Sequence, residues 1–316
     1  MSVTGLVSIR NAIGKLNPKQ VREMSDRSLR IALYSASPEG YQRMENFFLH
    51  ELKPIRRRDS SAALIRTPAG SAEASHVNLA IYDQSVLAPR RAFVFESDRP
   101  EALIHKILEK HQDLGVALAK HFPPFRRPFV DRVIKKTCRE NTLFSLATAL
   151  PDVIPSIIEL PWAIAEFASD TAFLTMNQIR MAFLIAAASD REVGYAEQKS
   201  EIATVIGSAF GWRALARQVV SKIPFGGGLL GKAAVAYAGT KVLGLSLERF
   251  YNIGYNYTRE ERDRLYADAF RQGKEVAARI LTHLRPDVAD RYASESAREQ
   301  TINVPPNVPP HPASGA

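Results

Sequence analysis

TAFLTMNQIRMAFLIAAA, residues 171–188, is the stretch on which the reading of this chain turns. At 3.6 residues per turn its polar groups do not gather on one side. Phe173, Met176 and Phe183 flank the arc that holds Asn177 and Arg180, while Leu174, Met181 and Ile185 occupy another. A helix apolar around most of its circumference is either central in a bundle or spans a membrane. A span needs about 20 predominantly apolar residues, and an ionised group at its centre costs about 2.5–3.5 kcal/mol. Arg180 and Asn177 fall near the middle here. The neighbouring apolar stretches meet the same obstacle: Asp152, Glu159 and Glu166 interrupt 143–168, and Lys232 and Lys241 lie in 229–247. The segment therefore reads as the central helix of a bundle. Asn177 and Arg180 then require buried partners, and Glu166 and Asp170 are the compositional candidates for Arg180.

Toward the N-terminus, prolines 151, 155 and 161 predict short bent helices in place of one rod. A helix is expected from near Phe129 toward Leu150, preceded by HFPPFRRPF as a proline-punctuated connector. Toward the C-terminus, Tyr195 to Lys222 reads as one or two helices, with a break invited by Gly207 and Gly211. IPFGGGLLG reads as a turn that leads into an apolar helix through Leu247. Thr258 and Glu261 form a capping box for the last helix, whose stripe is Leu265, Ala269, Val276, Ile280 and Leu284. From about residue 292 the chain turns polar and then proline-rich, and PPNVPPHPASGA is expected to be extended or disordered.

The front of the chain reads differently. Residues 1–20 suit a short amphipathic arm with Leu6, Ile9, Ile13 and Leu16 apolar. Asn17-Pro18 and Ser37-Pro38 are helix starts, and LRIALY between them is β-forming. Residues 53–75 read mostly as a mobile loop, with SAALIR as a short edge strand. HVNLAIYD and RAFVFE are strands, and Asp98 with Glu101 is a capping box for the helix after them. The fold class expected is mainly helical, α+β or α/β overall: a small N-terminal α/β module followed by a helical bundle. The units are 1–27 (arm), 28–118 (α/β module), 119–140 (connector and helix), 141–291 (helical domain) and 292–316 (tail).

Forty-two basic and 33 acidic side chains leave a formal charge of +9. Such an excess attracts phosphate-rich partners, either nucleic acid or an anionic membrane leaflet, but it is modest for 316 residues, and an ordinary solvated surface is the plainer reading. One cysteine, Cys138, excludes an intramolecular disulfide and suits a reducing compartment. It sits in DRVIKKTCRE, where Lys135, Lys136 and Arg139 would favour a thiolate, against the plainer reading of a packed helical residue. No secretory signal is legible, so the expected location is the cytoplasm, with peripheral contact at the inner membrane as the alternative.

Chemistry-bearing motifs are sparse. Gly226, Gly231 and Lys232 match the spacing of a phosphate-binding loop, but Ala233 stands where a magnesium-binding hydroxyl is needed, and a helix and proline precede it. They are the weak candidates for cofactor binding; a glycine hinge is the plainer account. The 35–40 turn lacks the glycines and lysine of such a loop, and Asp83, ending the next strand, has no glycine-closing sequence after it. His105 and His111 fall on different helix faces, and the seven histidines make no metal pattern. Arg56-Arg57-Arg58 is a tribasic cluster, short of the about four to eight cations of a polybasic membrane patch. No catalytic residue, cofactor or metal is therefore expected.

ATALPDVIPSIIELPWAIAEFASDTAFLTMNQIRMAFLIAAASD and GWRALARQVVSKIPFGGGLLGKAAVAYAGTKVLGLSLERFY, within residues 140–285, resemble the uncharacterised bacterial family DUF697. The resemblance rests on a proline-rich apolar start leading to the MNQIRM helix, and on the glycine turn leading to a small-residue helix. It implies a helical accessory domain, sometimes linked with membranes and sometimes attached to small GTPase-like domains. The front half is faintly similar to a shortened, degenerate GTPase-like domain that lacks Gly-Lys-Ser/Thr and Asp-x-x-Gly. The expected function is that of a non-enzymatic interaction or scaffold protein, with an unconventional nucleotide- or phosphate-binding protein or a peripheral membrane protein as alternatives. A protein partner or a second copy is expected, anionic membrane contact is the alternative, and nucleic acid is not expected.

Overall fold

Asn17 opens the first described helix: its Oδ1 accepts from the Lys19 amide at 3.1 Å, and Pro18 takes the first turn, where no donor is needed. The computed structural model describes residues 16–71, 76–149, 170–205, 227–284, 286, 287 and 289. The expectations for the arm before residue 16, the bends at 151–168, the Gly207/Gly211 break and the tail after 292 lie outside those residues.

After α1 (Pro18–Ser25) come β1 (Ile31–Ser35), α2 (Pro38–Leu49), α3 (Pro54–Ser61), β2 (Leu64–Pro68), β3 (Leu79–Asp83), β4 (Phe93–Phe95) and α4 (Pro100–Lys110). A short 3-10 turn leads into α5 (Gly115–His121), α6 (Pro123–Ala147), α7 (Asp170–Ala188), α8 (Gly227–Ile253) and α9 (Arg259–Leu284). The architecture is thus a small N-terminal four-stranded sheet followed by a predominantly helical bundle. The strands are all parallel, in the order β2-β1-β3-β4, with Ile31 facing both Leu64 and Leu79 across the sheet.

All five residues of β1 are buried, as a central parallel strand requires. Ile31, Leu33, Ile81 and Phe95 pack against Met44 and Phe48 of α2 and Ile104 and Ile107 of α4. The same cluster continues through Phe122 and Phe125 to Ile179 and Phe183 of α7. One continuous apolar interior therefore joins the sheet to the helices.

Two expectations about loops are corrected. Residues 53–71 are not mostly loop: α3 is anchored where Ser60 Oγ donates to the His121 carbonyl at 2.9 Å, and β2 joins the sheet as its edge strand. HFPPFRRPF is not a connector either, because α6 already begins at Pro123 and runs through Pro128. Pro128 forfeits one helical donor, while the buried rings of Phe122, Phe125 and Phe129 hold this first part of α6 to the core. The cap of α4 also moves. Arg99, not Asp98, precedes the helix with no side-chain cap, and Asp98 stands 3.6 Å from Arg99 Nε instead. Pro100 in the first turn removes one of the donors a capping box would have served.

The remaining caps form as read. Ser37 Oγ accepts from the Gly40 amide at 3.2 Å, and Thr258 and Glu261 exchange backbone-to-side-chain bonds at 2.8 and 3.2 Å. Behind the sheet, α6, α7 and α8 meet around a buried polar chain. Asn177 Nδ2 donates to Asn141 Oδ1 at 3.0 Å, and Asn141 Nδ2 donates to Thr240 Oγ1 at 2.9 Å. Gln178 Nε2 reaches the same hydroxyl at 3.1 Å. Arg180 needs no buried partner, because it is exposed; the Glu166 expected beside it lies outside the described residues. A Cβ added at Gly273 would meet the Ala234 backbone at 3.0 Å, which is why α9 lies so close to α8. No described helix is long and apolar enough to cross a membrane.

Candidate functional site

Parallel sheets bind ligands at the carboxyl ends of their strands, where successive connections leave in opposite directions. Here that point lies between β1 and β3, and Ser35 and Asp83 occupy it. Asp83 is fully buried. Its carboxylate accepts from the Ser85 hydroxyl and from the Ser85 amide at 3.4 Å, and Arg43 of α2 stands 3.3 Å away. Ser35 Oγ donates to the Ser37 carbonyl at 3.1 Å and accepts from the Ser37 amide at 3.2 Å. Tyr41 Oη bonds the carbonyls of Ser35 and Thr67 at 2.9 and 2.6 Å. A Cβ at Gly40 would run into Ser35 Oγ and come within 3.2 Å of Asp83 Oδ2. The groups of the 35–40 turn are thus engaged with one another, and the buried Asp83 side chain lies close to Gly40.

The glycine-turn candidates fall elsewhere. Gly226 lies outside the described residues, whereas Gly231 and Lys232 are inside α8, which already starts at Gly227. Lys232 Nζ stands 3.4 Å from Thr148 Oγ1 at the end of α6. Arg56, first of the tribasic cluster, pairs with Asp190 at 2.5 Å, and Arg57 reaches Asn46 at 3.4 Å. These cations tie α3 to its neighbours. Among the described residues no group of three or more His, Cys, Asp or Glu side chains is placed to hold a metal.

Cys138 is a packed helical residue, the plainer of its two readings. Its side chain is buried against the Tyr237 carbonyl at 3.6 Å, and burial pushes the thiol up from its ordinary value. Lys135, Lys136 and Arg139 are exposed on the outer face of α6. Arg132, Lys135, Lys136 and Arg139 recur at helical spacing on α6, half-buried in the first case and exposed in the others.

A groove opens on each side of this stripe. In the larger, of about 460 Å³, Lys135 and Arg139 of α6 are joined by Arg279 and His283 of α9. Half-buried Leu143, Val276, Ile280 and Leu284 form its floor with Tyr237 of α8. None of its nine lining side chains is acidic. The smaller, of about 290 Å³, lies beside α1, α5 and α7, and brings Arg180 up to Arg132 and Lys136. Its apolar wall includes Val21, Met24, Phe129 and Leu184, and its one acid, Asp113, is already paired with Arg27 at 2.7 Å. Glu140 interrupts the stripe 4.0 Å from Lys136, and burial raises its carboxyl pKa against the pull of Lys136 and Arg180.

Sequence reasoning passed over this face. The signal is present as R-x-x-K-K-x-x-R across 132–139, but along the chain Lys135, Lys136 and Arg139 read only as neighbours of Cys138. Arg180, Arg279 and His283 join them only through tertiary packing. Compared with known protein families, with curated proteins and with solved structures, the chain finds no match.

Proposed function

We propose that this protein is a non-enzymatic interaction module that takes hold of an acidic partner protein through the outer face of α6. The observation that carries the reading is the stripe Arg132, Lys135, Lys136 and Arg139, extended by Arg180 on one flank and by Arg279 and His283 on the other. Cations gathered on one face raise the local concentration of an anionic partner and steer its approach. The apolar wall of the smaller groove gives such a partner surface to bury once it has arrived.

A second reading, peripheral contact with an anionic membrane, is favoured by the same pairing of cations with half-buried aliphatic floors. A polybasic patch and apolar contact together make a more durable membrane attachment than either alone.

Titrating the full chain with soluble polyglutamate, and in parallel with phosphatidylserine-containing vesicles, separates the two. The leading reading expects polyglutamate binding that weakens as salt is raised and is lost in a Lys135→Glu, Lys136→Glu, Arg139→Glu variant. Binding to vesicles alone would select the membrane reading. Binding to neither, or binding indifferent to the triple variant, would overturn both. A Mg²⁺-nucleotide arm completes the test: saturable binding abolished by Lys232→Ala would move the contact to the glycine turn.

A further inference from the structure

We infer that the larger groove, between α6 and α9, is a binding site for a single-chain anionic amphiphile: an alkyl chain carrying one carboxylate or phosphate head. The inference rests on the reading of the α6 face as an anion-binding surface and deepens it by naming what one of its grooves takes. Three cationic side chains, Lys135, Arg139 and Arg279, stand along its two walls with His283 beside them, and among the described residues no acid lines it. Each pair is one helical turn apart, so the charges converge over a span of about 6 Å along either helix. That is the size of one head group.

The floor is apolar. Leu143, Val276, Ile280 and Leu284 are all half-buried, and each keeps part of its side chain uncovered toward the groove beside the Tyr237 ring. Every methylene laid over that floor would contribute about 0.8 kcal/mol if fully buried. At about 460 Å³ the groove falls within the range of small-ligand sites, about 300–1,000 Å³. Its walls run from 135 to 143 on α6 and from 276 to 284 on α9, about 12 Å at the helical rise. An average partner helix of about 10–14 residues is 15–21 Å long and would overhang both ends. An alkyl chain brings no backbone donors or acceptors that the floor would leave unpaired.

The test uses the full chain and three probes of equal chain length, decanoate, decyl phosphate and decanol, each kept below its aggregation concentration and followed by calorimetry. Decanoate or decyl phosphate should bind one to one, with decanol weaker by at least about tenfold because it lacks the charge-assisted contacts. Which of the two anions binds tighter separates a carboxylate head from a phosphate head. Ile280→Trp, which fills the floor, should abolish amphiphile binding while leaving the polyglutamate interaction in place; Val276→Phe serves the same purpose if the first variant folds poorly by circular dichroism. Arg139→Glu with Arg279→Glu, both at exposed positions, should abolish amphiphile binding without disturbing the fold. Equal affinity for decanol, unchanged binding in the filled variants, or binding of an acidic helical peptide where neither anionic probe binds would each overturn the site. If polyglutamate binding persists alongside such a result, the amphiphile site fails and the α6 reading stands.

Discussion

Asn177 Nδ2 donates to Asn141 Oδ1 at 3.0 Å in the interior of the helical layer, and Asn141 hands the chain on to Thr240 at 2.9 Å. Both asparagines are buried, so each depends on the other's geometry. Asn141 is the middle member and touches helices α7 and α8 at once. Replacing it by Ala strands the Asn177 amide and removes one of the two donors to the Thr240 hydroxyl, which Gln178 still reaches. It should cost more than Asn177→Ala, which leaves only Asn141 Oδ1 without its donor. Each stranded group carries a penalty of about 1–3 kcal/mol. Urea unfolding of the two single variants and the double variant should give a coupling of about 0.5–3 kcal/mol. Strictly additive effects would show that the pair does not act as a unit.

At the carboxyl edge of the sheet, Asp83 organises the turn after β3 and anchors Arg43 of α2. Asp83→Ala should destabilise by about 1–3 kcal/mol, because the Ser85 amide and hydroxyl and the Arg43 guanidinium all lose their acceptor. Asp83→Asn, which keeps an acceptor oxygen, should cost less. Equal losses in thermal unfolding would mean that shape, not hydrogen bonding, is what this position supplies.

Cys138 should be chemically silent in the folded protein. Its thiol is buried and its pKa is pushed up by that burial, so little thiolate is present and little of it is accessible. A thiol reagent is expected to label it only after the helical layer opens, at a rate that follows urea concentration. Rapid labelling of the native chain would contradict the packing described for α6 and α8.

His121 makes stability depend on pH in a defined direction. Burial, assisted by Lys120, lowers its pKa below the ordinary 6.5, against the opposing pull of Asp190 and Asp26. The unfolded chain therefore binds a proton more readily than the folded one. Its contribution is neutral above about pH 6.5, and stability falls as pH drops from there through the folded pKa, then levels off. His121→Gln should flatten that segment in urea midpoints measured between about pH 8 and pH 5. A slope unchanged by the substitution would assign the dependence to another group.

Thr258 and Glu261 close the start of α9 reciprocally, and α9 supplies one wall of the larger groove. Thr258→Ala should cost about 1 kcal/mol. The loss should appear as a lowered unfolding midpoint with unchanged ligand affinity, since the cap lies far along the helix from Arg279.

What could be read from residues alone was whatever depends on near neighbours in the chain. The caps at Asn17, Ser37 and Thr258 were legible because a capping side chain and its amide lie within three residues of each other. Strand formation by IALYS and LAIYD, and the central place of 171–188, followed from runs of β-branched, aromatic or uniformly apolar side chains. HFPPFRRPF misled because local proline chemistry argues for a break, whereas the burial of Phe122, Phe125 and Phe129 in a distant core outweighs one lost helical bond. Arg180 misled for a related reason: an apolar segment suggests that everything on it is buried, yet one narrow arc of α7 reaches solvent.

The amino-acid sequence by itself determined that the chain is mainly helical behind a small α/β module, because periodicity and capping are local properties. Only the tertiary structure decided that the sheet is parallel with β1 between β2 and β3, that Asp83 is buried, and that α6 carries a cationic stripe between two grooves. Residues 132–139 and 276–284 are more than a hundred positions apart. Helix packing brings them to one surface, and spacing along the chain holds no record of which helices will be neighbours.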